Sequence, residues 1–368
     1  MLFDIKGKQL PTGADTESLL IAMTRHRNHG LPANGDRESH YNNMLCVAHV
    51  SDLHTDSVRY KRFLNWVSKH KEFIDCAIET GDLVDSPSDA AWNYMITAED
   101  GYDDVDLLKV CGNHEKYYNA TATSTEVYNK WNCVTNTGKL YYYKDYPQYH
   151  VRIIVINFVD YDPIRTYINV YSQEQIDWLC TTLQDSKTNG YSVIIAKHNF
   201  DHGRATVIKE SFYDKYIADN NADWDNNDCN GPIIEDIVDA FKHGTSLNRV
   251  YNHSNSGAPS VTVDVTFDGN GDFICYLNGH YHIDIIGASP NYPDQIYLGI
   301  NTGCLESKSR PTNVFEKWTN LPRVKGTDSE DCFNVYVFDT VNKQIKVLRI
   351  GSHTTCEFEE RLMEIYTY

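Results

Sequence analysis

Residues 44–54 read MLCVAHVSDLH. The run Met44–Val50 is almost wholly apolar and passes straight into Ser51-Asp52-Leu53-His54, so a buried strand ends where two metal-capable side chains begin. On an extended segment, residues two apart point the same way, and Asp52 and His54 can reach one ion. The chain repeats this device. A helical pattern over Ser57–Lys71 carries Phe63, Leu64, Trp66 and Val67 at helix spacing, and a second apolar run, Cys76–Ile78, leads to Gly81-Asp82. A third, Val105–Val110, leads to Gly112-Asn113-His114-Glu115. Strands alternating with helices predict an α/β architecture, and in such folds functional groups gather beyond the C-terminal ends of the strands.

The second half continues the theme with more hairpin. Lys139–Tyr143 and His150–Phe158 read as a strand pair, Ser172–Ser186 as an amphipathic helix, and Tyr191–Ala196 as a buried strand running into Lys197-His198-Asn199. Ile233–Lys242 reads as helix. Val261–Phe267 and Phe273–Leu277 flank Asp268-Gly269-Asn270-Gly271, whose Asn-Gly step predicts a hairpin that delivers Gly279-His280-Tyr281-His282. Asn334–Phe338 and Gln344–Ile350 form the last predicted hairpin. His202–Asn230 has no regular pattern, and its acidic run Asp219–Asp228 is expected to be a solvated surface excursion.

Composition bounds the partners. The formal net charge of −18 disfavours nucleic-acid backbones and anionic membranes as default partners. Ten cysteines in 368 residues include no CxxC pair, and Cys46, Cys76, Cys111 and Cys275 fall in or beside apolar runs. They are expected to be buried free thiols of a reducing compartment, which places the chain in the cytoplasm, or on a virion if it is phage-encoded. The N-terminus lacks a signal peptide's apolar core, and no apolar run approaches membrane-spanning length. Residues 1–43 are polar and read as an extension suited to attachment; residues 44–368 read as one domain.

The strand-end residues supply three oxygen donors (Asp52, Asp82, Asn113) and four imidazoles (His54, His198, His280, His282). This mixed field suits Mn, Fe, Zn or Ni, with Mn favoured, better than an all-oxygen magnesium site. The absence of thiolates argues against a closed structural zinc site. Seven ligands are too many for one ion with an open position and suit two ions sharing a bridging carboxylate. Two ions about 3.5–4 Å apart can lower the pKa of a bridging water and hold the attacking and leaving oxygens of an in-line phosphoryl displacement. His114, next to Asn113, is then free to protonate the leaving group. Taken singly, each motif has a plainer reading: Asp-x-His after a strand is usually a turn, and a lone strand-end histidine is usually a satisfied core residue. Five such motifs in order, each ending an apolar run, decide the matter.

The series Asp52-x-His54, Gly81-Asp82, Gly112-Asn113-His114-Glu115, His198 and Gly279-His280-x-His282 resembles the calcineurin-like metallophosphoesterases over roughly Met44 to Ile350. The resemblance implies a four-layer α/β/β/α sandwich of two mixed sheets flanked by helices. It implies that Asp52, His54, Asp82 and His282 hold one metal and that Asp82, Asn113, His198 and His280 hold the other, with Asp82 as the bridge. It also implies that a metal-bridging hydroxide attacks a phosphomonoester or phosphodiester while His114 acts as general acid, steadied by a carboxylate such as Asp85 or Glu115. Ser86 and Cys111 stand where protein Ser/Thr phosphatases carry arginines, and Asp85 where purple acid phosphatases carry a tyrosine; too few residues follow His282 for a nucleotidase's substrate domain. What remains is similar to the broad bacterial and phage group that includes cyclic-nucleotide and other phosphodiesterases. The competing expectation is a structural, non-catalytic use of the fold in a larger assembly such as a phage particle. Specificity is expected from the loops His202–Asn230 and Asn248–Ser260, with His202 and His253 as pocket candidates.

Overall fold

The computed structural model describes residues 44–116, 122–131, 133–160, 170–199, 206–207, 232–252, 259–280, 285–289, 291–299, 331–351 and 363–368. The first strand, β1 (Met44–Val50), is buried along its whole length, as its unbroken apolar run requires of a central strand. It pairs in parallel with β2 (Cys76–Glu79), which pairs in parallel with β3 (Leu107–Lys109). Its other edge takes β13 (Cys332–Asp339) antiparallel, followed by β14 (Gln344–Gly351) and β15 (Met363–Thr367). The six strands run β15-β14-β13-β1-β2-β3.

The second sheet has seven strands. In its centre β5 (Val151–Val155), β6 (Ser192–Ala196), β10 (Asp272–Asn278) and β12 (Ile296–Gly299) are parallel. Outside them lie the antiparallel strands β4 (Tyr142–Tyr146), β11 (Ile285–Ala288) and the two-residue β7 (Thr206–Val207). A separate ribbon joins β8 (Ser246–Tyr251) to β9 (Val261–Thr266).

Helices cover the outer faces. Asp56 caps α1 (Ser57–Lys69) by accepting the Arg59 amide, and this helix lays Phe63 and Trp66 on Phe333 of β13, with ring centroids 5.2 and 5.1 Å apart. Two short helices follow, α2 (Asp89–Ile96) and α3 (Ser124–Lys130), the latter opened by a Thr123–Glu126 capping box. On the other sheet, α4 (Gln173–Thr188) packs against β6 and β9, and α5 (Ile233–His243) against β8 and β10. The two sheets meet at one edge through Tyr142, whose hydroxyl accepts from the Lys109 amide at 2.9 Å and donates to its carbonyl at 3.0 Å. The architecture is the expected α/β/β/α sandwich of two mixed sheets.

One predicted pairing is corrected. Val261–Phe267 and Phe273–Leu277 do not form a hairpin: β9 pairs with β8, while β10 lies between β6 and β12. The reason is burial. β10 is buried from Phe273 onward and needs partners on both edges, whereas β9 alternates buried and exposed and suits an outer ribbon. The expected specificity loop Asn248–Ser260 likewise begins inside β8. Buried free thiols at Cys46, Cys76, Cys111 and Cys275 are as expected. No helix among the described residues is long and apolar enough to cross a membrane.

Candidate metal centre

Five parallel strands end at one place. Asp52 and His54 follow β1, Asp82 follows β2, Asn113 and His114 follow β3, His198 follows β6 and His280 follows β10. The first three strands belong to one sheet and the last two to the other, so the residues converge on the seam between them. Main-chain bonds carry the pairing past the strand ends: Asp52 N–H to Gly81 O (3.0 Å), His54 N–H to Asp82 O (2.9 Å) and Thr55 N–H to Leu83 O (2.9 Å). The turns are tight. Asp52, His54, Thr55, Asp82 and His280 all have positive φ, between 45° and 76°, although none is glycine. Such conformations are unfavourable for side-chain-bearing residues and persist where the surroundings enforce them, commonly at functional sites.

Asp82 is the hub. Its Oδ2 lies 3.8 Å from His54 Nε2, 3.8 Å from His114 Nε2 and 3.2 Å from His198 Nε2. Two groups of potential metal-binding atoms, each within 4.8 Å of one another, share it: His54, Asp82 and His114, and Asp82, His198 and His280. Asn113 Oδ1 accepts from His280 Nδ1 at 3.0 Å, and Asp52 Oδ1 is 3.9 Å from His198 Nε2. Asp52 also takes the His280 amide on both oxygens, at 3.1 and 3.0 Å, joining the end of β1 to the end of β10.

A dimetal phosphatase from Danio rerio has this arrangement of sheets: it superposes with a TM-score of 0.53 at 13% identity, covering 88% of this chain and 99% of that one. The fold is that of the calcineurin-like metallophosphoesterases. A purple acid phosphatase from yellow lupin is also similar (12% identity, 83% of this chain and 51% of that one, TM-score 0.46). So is GAP50, the anchor in the inner membrane complex of Plasmodium (12% identity, 88% of each chain, TM-score 0.43). No family model matches the sequence, and no curated protein does.

In this metallophosphoesterase fold the residue types suit metal ions. All six described ligand candidates are buried, and His198 Nε2 has no aligned hydrogen-bond partner although Asp82 Oδ2 is 3.2 Å away. Buried imidazole nitrogens facing a shared carboxylate are what a cation would satisfy. His198 Nδ1 is already committed to the Thr80 carbonyl at 2.6 Å, which leaves Nε2 as the nitrogen that faces the centre.

Two glutamates set the loops. Glu115 is fully buried and accepts the amides of Gly112 (2.6 Å), Asp82 (2.9 Å) and Val84 (3.0 Å), clamping the turn after β3 to the turn after β2. Glu79 accepts the Gly81 amide at 2.8 Å. Between them the glycines are obligatory: Gly81 has φ +100°, and a Cβ there would lie 2.5 Å from His198 Nδ1; at Gly112 it would collide with the Asp82 carboxylate and amide. Burial pushes Glu115 up to about 7, with Asp82 adding to the shift, and burial with Glu115 beside it pushes Glu79 well up.

The remaining electrostatics centre on Asp82. Burial works against its ionisation, yet His198, His114 and His54 outweigh it and hold the carboxyl well below its ordinary range. Burial likewise opposes protonation of His198, but Asp82, Asp52 and the Thr80 carbonyl push it up to about 9. His114 is held below its ordinary value by burial and the His54 ring, against Asp82 and Asp85.

Of the seven candidate ligands, His114 and Asp85, all but His282 come together; His282 lies outside the described residues, as do residues 1–43, His202, His253 and Asp219–Asp228. His114 sits as close to Asp82 as the candidate ligand His54 does. Asp85 meets both rings: its carbonyl takes His114 Nδ1 at 2.8 Å, and its Oδ1 lies 3.4 Å from His54 Nδ1 and 3.7 Å from His114 Nδ1. Glu115, the other candidate for steadying His114, is occupied as the loop clamp. Sequence reasoning missed Glu79 and Thr80, as well as Phe158, whose ring faces His198 and His280 at 5.4 and 6.4 Å. A charged residue closing the apolar run Cys76–Ile78 was the available signal for Glu79.

Proposed function

We propose that this protein hydrolyses phosphate esters of small molecules, monoesters or diesters, with two transition-metal ions held by Asp52, His54, Asp82, Asn113, His198, His280 and His282. The observation that carries the reading is that the buried Asp82 belongs to both His/Asp groups, which suits a carboxylate bridging two ions. Two such ions, when bound, activate a water and neutralise phosphoryl charge. The chain's own residues do the rest. Asp85 O fixes the His114 ring through Nδ1, so Nε2 faces the centre as the proton donor to the leaving oxygen. Burial lowers the imidazole's pKa, so it holds the proton it is to donate once an anionic ester beside it has raised its proton affinity. Glu115 and Glu79 keep the Asp82 turn rigid, so the bridging carboxylate does not have to reorganise during reaction. Manganese is the preferred metal on donor type, and the polar residues 1–43 would serve attachment.

The test is hydrolysis of p-nitrophenyl phosphate and bis(p-nitrophenyl) phosphate by full-length protein loaded with Mn²⁺, beside His114→Ala. The variant is expected to bind two ions and lose about 10²–10⁴-fold in kcat. Full turnover in His114→Ala would remove the proton-donor role, and failure of the parent protein to bind two ions would remove the dinuclear reading.

A further inference from the structure

The run MLCVAHV contains one imidazole, His49, wholly buried in the six-stranded sheet. Both of its ring nitrogens are engaged. Nε2 lies 2.7 Å from Thr80 Oγ1, and Nδ1 lies 3.4 Å from the Tyr336 hydroxyl. Tyr336 in turn receives a 3.0 Å bond from Asn334 Nδ2, both residues standing on β13 beside β1. The Asn334 amide NH₂ can only donate, so the Tyr336 oxygen accepts there. The His49 ring, with one nitrogen on the Tyr336 hydroxyl and the other on the Thr80 hydroxyl, links that tyrosine to Thr80 in either tautomer.

Thr80 is where this chain meets the metal centre. Its amide donates to Val50 O at 3.0 Å, its hydroxyl is held by His49, and its carbonyl takes His198 Nδ1–H at 2.6 Å. The N–H of that same Thr80–Gly81 peptide unit is held by Glu79 at 2.8 Å. The peptide that orients His198 is thus fixed at every polar group. For a metal-binding imidazole, the partner of the other ring nitrogen sets which way the ligand atom points.

We propose that His49 is a positioning residue of the metal centre: the buried relay Asn334–Tyr336–His49–Thr80 fixes the carbonyl that aims His198 Nε2. This rests on the dinuclear reading above for its consequence, but not for its geometry. A histidine that merely fills the core would respond to volume alone, whereas a relay responds to loss of a hydrogen-bonding group and is restored by another one. Three variants separate the two. His49→Phe keeps a ring without its nitrogens, Thr80→Val keeps the shape and the carbonyl without the hydroxyl, and His49→Gln returns a polar group able to donate or accept near the place of Nε2.

Two measurements on the full chain test it. In metal-free protein, the proton NMR signal of His198 Nδ1–H, assigned by its loss in His198→Ala, is expected in the parent and in His49→Gln. It is expected to shift or exchange away in His49→Phe and Thr80→Val. In a Zn²⁺ titration against a competing chelator, the weaker of the two bound ions is expected to lose about 10-fold in affinity in each of those two variants. The double variant is expected to lose no more than either single one, and His49→Gln to recover the affinity. An unchanged His198 signal in both His49→Phe and Thr80→Val, or additive losses in the double variant, would overturn the proposal. So would a fall in thermal stability with both signal and affinity intact. A parent protein that takes up no Zn²⁺ while its His198 signal follows the relay would overturn the dinuclear reading and leave the relay standing.

Discussion

Replacing Gly81 by alanine puts the close packing of this centre to a quantitative test. The new Cβ would sit 2.5 Å from His198 Nδ1, 2.8 Å from its Cγ and 2.9 Å from Gly112 Cα, at a φ of +100° that L-residues rarely adopt. The backbone strain costs about 1–3 kcal/mol. Relieving the contact moves the imidazole by roughly 1 Å, which breaks its bond to Thr80 O for about 1 kcal/mol more. The metal-free variant is therefore expected to be about 2–4 kcal/mol less stable in urea unfolding. A displacement of that size at a reacting centre reduces turnover about 100-fold. Gly190→Ala is the matched control: its φ is +72°, but nothing lies within 4 Å of the added carbon. It is expected to lose about 1–2 kcal/mol and to leave metal affinity alone. If Gly81→Ala matched Gly190→Ala in chelator competition and in bis(p-nitrophenyl) phosphate turnover, close approach to His198 would not be the reason for the glycine.

Glu115→Ala strips the acceptor from three buried amides, those of Gly112, Asp82 and Val84, and is expected to cost about 3 kcal/mol or more in urea unfolding; a loss below about 1 kcal/mol would show that water replaces the clamp. Metal binding is expected to release protons in a pH-dependent way. His198, pushed up to about 9 in the metal-free protein, is cationic at pH 7 and must shed its proton to bind through Nε2. Metal affinity should therefore rise with pH until the pH passes about 9, and close to one proton from this residue should appear at pH 7 and none above pH 10. Calorimetry in buffers of different ionisation enthalpy measures this; a proton count constant from pH 7 to 10 would contradict it.

The strands that carry the centre were legible because each is an apolar run stopped by glycine, aspartate or histidine, as at Val50–Asp52 and Ala196–His198. Burial leaves a mark on composition, and so do strand ends. Pairing leaves a weaker one. The Asn-Gly step at Asn270-Gly271 makes no hairpin turn: the bend falls at Asp268-Gly269, where Gly269 has φ +84°, and the partner of β10 is chosen by the need to cover both its edges, which no local motif encodes. β8, reading Ser-Leu-Asn-Arg-Val-Tyr, is mostly exposed and so lacked the apolar signature altogether. The site showed the same division. Its candidate residues and their spacing could be read, whereas the division of tasks between Asp85 and Glu115 depends on which carboxylate the folded turns bring against backbone amides. The relay through His49 was illegible for that reason too, since Tyr336 lies 287 positions away.

That separation has a consequence during synthesis. While the chain is being made, β1 leaves the ribosome with its apolar face and its β13-facing edge uncovered, and at translation rates of about 5–20 residues per second the 287 residues to Tyr336 take roughly 15–60 s. Nascent MLCVAHV is therefore a segment that a holding chaperone would have to shield, and a chain released before β13 would keep its sticky edge.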